Sequence, residues 1–366
     1  MASKLKVASE KILEIAPYVP GSYAKAGAGK RLIKLSSNEN PFGCSIKVKD
    51  AIALEFSKLN RYPDGACAAL REKIGATYGL DAKRIICGAG SDELITFICM
   101  AYGGVDAEVI YTKHGFLMYP IAALSTGATP VVADEKDLKA DVDAILNKVT
   151  DKTRIVFLAN PNNPTGSYLN DKEMWKLVKG LPKNVLLVLD LAYAEYVTAP
   201  DYPDHKKLVD EFENVIMIRT FSKAYGIPSL RLGWGYASDN VIDILNRVRG
   251  PFNISSLAQA AGVAALADQD FVKKSVEHNT KWLNILTEAL EDMGLKPYPS
   301  VANFLLVDFS AAEKAAKADE YLRDNGISVR RMDAYGLPTC MRFSIGLEDE
   351  NKILLDCLLN FMNANI

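Results

Sequence analysis

"NVIMIRTFSKAYGIP", Asn214 to Pro228, joins two kinds of sequence that rarely meet by accident. Val215-Ile216-Met217-Ile218 is an apolar, mostly β-branched run of strand length, the pattern of a strand buried on both faces. Just past it stands Lys223, with hydroxyl residues Thr220 and Ser222 close by. In open α/β sheets, ligand-binding groups collect at the carboxyl ends of the strands. A cation with hydroxyl neighbours at a strand end is therefore either a solvated loop or part of a site, and the rest of the chain has to decide between them.

The stretches on either side supply a sheet for this strand. "RIICGAG", "AEVIYT", "TPVVA", "RIVFLAN" and "NVLLVLD" precede it and "LGWGYA" follows, all short and mostly apolar. Helical spacing fills the gaps: "IKVKDAIALEFSKL", "ACAALREKIGATYG" ending at Gly79, "SDELITFICMAYG", "FLMYPIAALSTG" and "LNDKEMWKLVKGL". The alternation predicts an α/β fold whose central, mostly parallel sheet is covered by helices. Helices over 256–268 and 270–293 lead into a smaller α+β pattern, "ANFLLVDF", "AAEKAAKADEYLRDNG", "ISVRRM", "CMRFSIG" and "DENKILLDCLLNFMN". The expected division is an N-terminal arm and lead-in segment over 1–44, a large domain over 45–250 and a small C-terminal domain over 251–366. Within the arm, a helix is expected from Lys4 to Ile15, followed by the loop "PYVPGSYAKAGAGK".

Bulk properties narrow the function classes. The chain has 366 residues, 49% hydrophobic and 24% charged, with a formal net charge of −2, so no basic field points to nucleic acid or anionic membrane. No apolar run approaches the length of a membrane span, and the first residues lack a signal-peptide core, so a cytoplasmic location is expected. Six scattered cysteines without a CxxC and three separated histidines suit reduced thiols and no metal site.

Five motifs remain. "AGAGK" ending at Lys30 is not a phosphate-binding P-loop: Ala24 stands where its first Gly belongs and Arg31 where Ser or Thr belongs. In "CGAGSDE", Gly88 and Gly90 fit G-x-G, but Glu93 replaces the third Gly. Ser91 is expected to cap the following helix. The amides near Ser91 and Asp92 can cradle a phosphate, although plain capping accounts for much of the stretch. "NPNNPTG", Asn160 to Gly166, is either an ordinary turn or a rigid mount for Asn163, with a cis bond before Pro164 as one option. Asp190 ends "NVLLVLD", with Tyr193 three residues on; it either caps a loop or faces a cationic ring nitrogen. Arg231 follows Lys223 by eight residues and completes a plausible phosphate clamp with Thr220 and Ser222. Arg342 sits in the apolar stretch Met341–Ile345 and needs an anion, from a structural carboxylate or from a substrate.

Taken in order, NPTG, Asp-x-x-Tyr, Ser-Lys, Arg and a C-terminal strand Arg resemble the pyridoxal-phosphate aminotransferases of fold type I over nearly the whole chain. "SSNENPFG" (Ser36–Gly43), "RYPDG" (Arg61–Gly65), "GSDELI", "LANPNNPTG" and "PYVPG" (Pro17–Gly21) resemble the histidinol-phosphate aminotransferase family in particular. The resemblance implies pyridoxal 5′-phosphate as cofactor, carried by Lys223, with Asp190 keeping its ring nitrogen protonated. Asn163 and Tyr193 would hold the ring oxygen and Phe116 would cover the ring face. Gly90, Ser91, Asp92, Thr220, Ser222 and Arg231 would bind the phosphate, and a homodimer would lend Tyr62 to the partner's cofactor. Tyr18, Asn38, Arg330 and Arg342 fall on the substrate side. The implied substrates are histidinol phosphate with glutamate and 2-oxoglutarate. Aromatic amino acid transamination and threonine-phosphate decarboxylation remain open on the same scaffold.

Overall fold

In the computed structural model, which describes residues 10–16 and 31–364, seven strands form the central sheet. They are β1 (Ile85–Gly88), β2 (Glu108–Thr112), β3 (Thr129–Ala133), β4 (Thr153–Ala159), β5 (Leu186–Asp190), β6 (Val215–Thr220) and β7 (Gly233–Tyr236). Their spatial order is β1-β7-β6-β5-β4-β2-β3. Every pairing is parallel except those of β7, which runs antiparallel to both its neighbours.

Period-two alternation sends successive side chains to two separate cores. Val156, Leu158, Leu187, Leu189, Val215 and Met217 pack on one face, with helices 68–78, 171–180 and 256–266 over them. Ile155, Phe157, Leu186, Val188, Ile216 and Ile218 pack on the other, under helices 91–102, 118–125 and 239–248. Both faces are apolar because both are covered, which is why the strands read as continuous hydrophobic runs.

Three helices and a hairpin go beyond the expected elements. Asp239–Val248 follows Ser238 and buries Val241, Ile242 and Leu245 along one face. Val142–Asn147 is held at its start by Asp141, whose carboxylate accepts from the amides of Asp143 and Ala144. His205–Glu211 is short, and Glu135–Lys136 pairs with Lys139–Ala140. Of the helix expected from Lys4, residues 10–13 are helical and residues 4–9 lie outside those described.

A second, antiparallel sheet contains β8 (Lys296–Pro297), β9 (Phe304–Asp308), β10 (Arg330–Arg331) and β11 (Cys340–Ser344), in the order β8-β9-β11-β10. Leu305, Val307, Met341 and Phe343 pack under helices 269–292, 312–324 and 348–363, contributed as Leu286, Leu322 and Leu358. Ile33–Lys34 pairs parallel with Ile327–Ser328, so the chain's lead-in segment is zipped to this C-terminal part. Among the described residues, no helix is long and apolar enough to cross a membrane.

Candidate active site

The carboxyl ends of β4, β5 and β6 and the loop after β1 open on one side of the central sheet. Across from them stand β10 and β11. Between the two lies a cavity of about 280 Å³.

Asp190, the last residue of β5, lies on the cavity wall and is 4% exposed. The Tyr119 hydroxyl donates to its Oδ2 at 2.8 Å and the Ala192 amide to its Oδ1 at 3.2 Å. Burial pushes its pKa up to about 6, and the Tyr119 hydrogen bond opposes that rise. Tyr119 is locked in turn, its ring stacked on Phe157 of β4 at 4.6 Å. Phe116 meets the edge of Tyr119 and lines the same cavity.

Lys223 reaches in from the turn after β6. Its Nζ donates to the Ser37 carbonyl at 3.1 Å and lies 5.8 Å from the centre of the Tyr193 ring. Burial lowers its pKa to about 8, and the charge of Arg342 acts in the same direction. The Tyr193 hydroxyl accepts from Asn38 Nδ2 at 2.9 Å, and burial pushes that phenol up to about 12. Asn38 is itself held on three sides: its amide donates to Ser344 Oγ, Ser344 donates back to its Oδ1, and its carbonyl accepts from Asn303.

At the end nearest β1 the helix begins differently from expectation. Gly90 occupies the N-cap and Ser91 is the first helical residue, so no side chain caps the first-turn amides. Gly90 has φ +84°, and a Cβ there would lie 2.4 Å from Arg231 Nη2. Arg231 packs against this glycine, pairs with Asp92 at 3.0 Å and approaches Ser222 Oγ at 3.4 Å. Thr220 donates to the same Ser222 oxygen at 3.0 Å. Glu93, standing where a third glycine would, accepts the Ala89 amide at 2.7 Å and ties down the loop.

On the opposite wall, Arg342 of β11 is 6% exposed. Its Nη2 donates to the Ser36 carbonyl at 2.9 Å and its Nη1 donates to Asn163 Oδ1. Asn163 lies between two cis prolyl bonds, Asn160–Pro161 and Asn163–Pro164. Arg330 is the ladder partner of Arg342 and also lines the cavity. Its neighbour Arg331 is engaged elsewhere, by Asp333 at 2.7 and 3.1 Å.

Most of the site residues expected from sequence thus meet at one cavity. Tyr62 does not: it is 84% exposed and stacks on Phe252 at 4.7 Å, away from this chain's own cavity. Tyr18 lies outside the described residues. The sequence reading missed Tyr119, Glu39 and Tyr335, all of which line the cavity. Tyr119 had one signal, its position three residues after Phe116 at the start of a helix.

Residues 30–358 match the family model for aminotransferase class I and II. The histidinol-phosphate aminotransferase of Rhodospirillum centenum is 50% identical, over 96% of this chain and 98% of that protein. The one from Maricaulis maris is 48% identical with the same coverage. Among solved structures, histidinol-phosphate aminotransferase from Sinorhizobium meliloti, in complex with pyridoxal-5′-phosphate, superposes with a TM-score of 0.91 over the full length of both chains at 28% identity. The α/β architecture of fold type I expected from the sequence is the one observed. The chain belongs to the class I and II aminotransferase family and, within it, groups with the histidinol-phosphate aminotransferases.

Proposed function

We propose that the chain is a pyridoxal-phosphate-dependent aminotransferase interconverting histidinol phosphate and imidazole-acetol phosphate, with glutamate and 2-oxoglutarate as the second pair. One observation carries the reading. Lys223, Asp190 and Arg342 converge on a single cavity, in a chain about half identical to proteins named for that reaction.

The residues present fit the cofactor. Arg231, Ser222, Thr220 and the uncapped amides after Gly90 offer the charge and donors that a phosphate ester takes. The absence of a Cβ at Gly90 keeps that corner open to the Arg231 guanidinium. Asp190 offers a buried carboxylate to a protonated ring nitrogen, and Phe116 offers a ring face. Pyridoxal phosphate, when bound, supplies an aldehyde carbon for the amino group and a ring that takes up the electron pair left at the substrate Cα.

Each side chain then has a task. Lys223 would hold the cofactor and is the basic group placed to move the substrate Cα proton; its lowered pKa suits both roles. Asn163 is oriented through its oxygen by Arg342, which leaves its Nδ2 as the donor that, with Tyr193, would hold the cofactor. Asp92 sets the position of Arg231. Arg342 binds the α-carboxylate of glutamate or the phosphate ester of histidinol phosphate, since a guanidinium fork accepts either anion. Arg330 assists it from the adjoining strand, and Asn38 belongs to the same side.

The reading includes a homodimer in which Tyr62 reaches the partner subunit's cofactor phosphate. Support comes from its exposure and from the further exposed apolar residues Ile46, Leu54, Phe56 and Leu59 on the neighbouring stretch of chain. A division near residue 250 into large and small domains follows the separation of the two sheets, one drawn from 85–236 and the other from 296–344. A cytoplasmic location is supported by six free cysteines.

The test is a comparison of kcat/KM for histidinol phosphate, phenylalanine and threonine phosphate. Histidinol phosphate is expected to be the best substrate. A preference for phenylalanine overturns the named reaction, and carbon dioxide release from threonine phosphate replaces transamination with decarboxylation.

A further inference from the structure

Three carboxylates line the cavity: Asp190, Asp92 and Glu39. Asp190 is committed to the floor by Tyr119 and the Ala192 amide, and Asp92 to Arg231 at the phosphate end. Glu39 is different. Its Oε1 accepts from Lys34 Nζ at 2.8 Å, and its Oε2 takes no hydrogen bond among the described residues. The side chain is 38% exposed, so it stands toward the cavity opening and not on the floor. It belongs to the same short segment whose Ser36 carbonyl anchors Arg342 and whose Ser37 carbonyl anchors Lys223. Its charge acts on Lys223, opposing the effect of burial there.

We propose that Glu39 is a specificity-determining residue that recognises the imidazole ring of the substrate, and that Lys34 neutralises it when glutamate is bound. The inference rests on the reaction proposed above.

The two amino donors of that reaction are alike at the reacting end. Each brings an amine to Lys223 and an anion to Arg342. They differ at the far end, where histidinol phosphate has an imidazole and glutamate a second carboxylate. An imidazole always has at least one N–H to donate, and with a reference pKa of about 6.5 it gains a proton readily beside a carboxylate. Glu39 is the carboxylate of the cavity still able to accept that hydrogen. A phenyl ring in the same place offers no donor and strips water from Glu39 without replacing it. Glutamate brings a like charge toward Glu39. Lys34, already within 2.8 Å, cancels it without any group having to leave the cavity.

Glu39→Gln keeps the side-chain shape and removes the charge. In the cofactor-loaded enzyme, the ratio of kcat/KM for histidinol phosphate to that for glutamate is expected to fall about 10- to 100-fold, the range of a hydrogen bond to a charged group. The change should lie mainly in KM. In wild type, the dissociation constant for histidinol phosphate should vary with pH through the imidazole range, and this dependence should flatten in the variant. Equal losses on both donors, or no change in the ratio, overturn the proposal. If Glu39→Gln fails to fold, as judged by melting and cofactor content, Glu39→Asp serves instead, with a smaller fall in the same ratio expected and an unchanged ratio overturning the proposal. A wild type that cannot use histidinol phosphate fails before any variant is compared. That outcome overturns the reaction itself, and this inference with it.

Discussion

Tyr119 donates its hydroxyl proton to Asp190 Oδ2 across 2.8 Å, with its ring clamped flat on Phe157. This bond opposes the effect of burial on Asp190, which titrates at about 6 and is held ionised above that value. Tyr119→Phe keeps the stacked ring and removes only the donor. Asp190 should then titrate higher, and cofactor affinity at neutral pH should fall by roughly tenfold, for a lost bond of about 1.5 kcal/mol to a charged group. In a spectroscopic titration, the pH below which cofactor is lost should move upward in the variant.

Lys223 in the cofactor-free protein has its pKa lowered to about 8 from 10.5, chiefly by burial. A lowered lysine value favours the neutral amine, which is the form that captures an aldehyde. The rate of cofactor uptake should rise with pH up to about 8 and level off above it. Arg342 is the second cause of the shift, so Arg342→Gln should move the inflection upward. Lys223→Ala should lose covalent uptake altogether and reduce kcat by about 10²- to 10⁴-fold. For stability the sign is the following. Between about 8 and 10.5 the unfolded chain holds this proton more tightly than the folded one, so the contribution of Lys223 to stability rises across that window and is least below it.

Gly90 combines φ +84° with a backbone region that only glycine enters freely, and it touches Arg231 where a Cβ would be. Gly90→Ala should cost about 1–3 kcal/mol in backbone strain and push the guanidinium aside. Thermal melting should fall, and cofactor affinity should weaken by more than the melting alone accounts for.

Arg342 bonds both the Ser36 carbonyl and Asn163 Oδ1 through separate guanidinium nitrogens. A lysine cannot reproduce that fork. Arg342→Lys should raise KM for glutamate and for histidinol phosphate alike, by about 10- to 100-fold, in steady-state kinetics. Loss on only one donor would refute a shared anion site.

Much of this was legible in the sequence, because the central strands carry a signal that does not depend on their neighbours. β5 is apolar up to Leu189 and β6 up to Ile218, since both faces are covered, and Asp190 and Thr220 mark where each strand reaches the site. Helix 239–248 was also written locally, in Ser238 followed by Val241, Ile242 and Leu245, and was overlooked. Other features had no local signature. Ser91 resembles a cap, but Gly90 takes that position because the chain turns there with a positive φ to meet Arg231. Arg330 and Arg331 are equivalent in sequence; the register opposite Arg342 selects the first, and Asp333 occupies the second. Glu39 and Tyr119 gain their importance only when segments far apart in the chain meet at the cavity.

The lead-in strand at Ile33–Lys34, zipped to Ile327–Ser328, has a consequence for biosynthesis. Ser36, which anchors Arg342, leaves the ribosome about three hundred residues before its partner does, their separation being 306 positions. The central sheet is complete at Tyr236, yet the wall opposite Lys223 requires β11. From Tyr236 until Cys340 emerges, a nascent chain carries the whole central sheet and an unfinished cavity. The wall that carries Arg342 closes only when β11 reaches the lead-in segment, where the Ser344 amide donates to the Leu35 carbonyl at 2.9 Å.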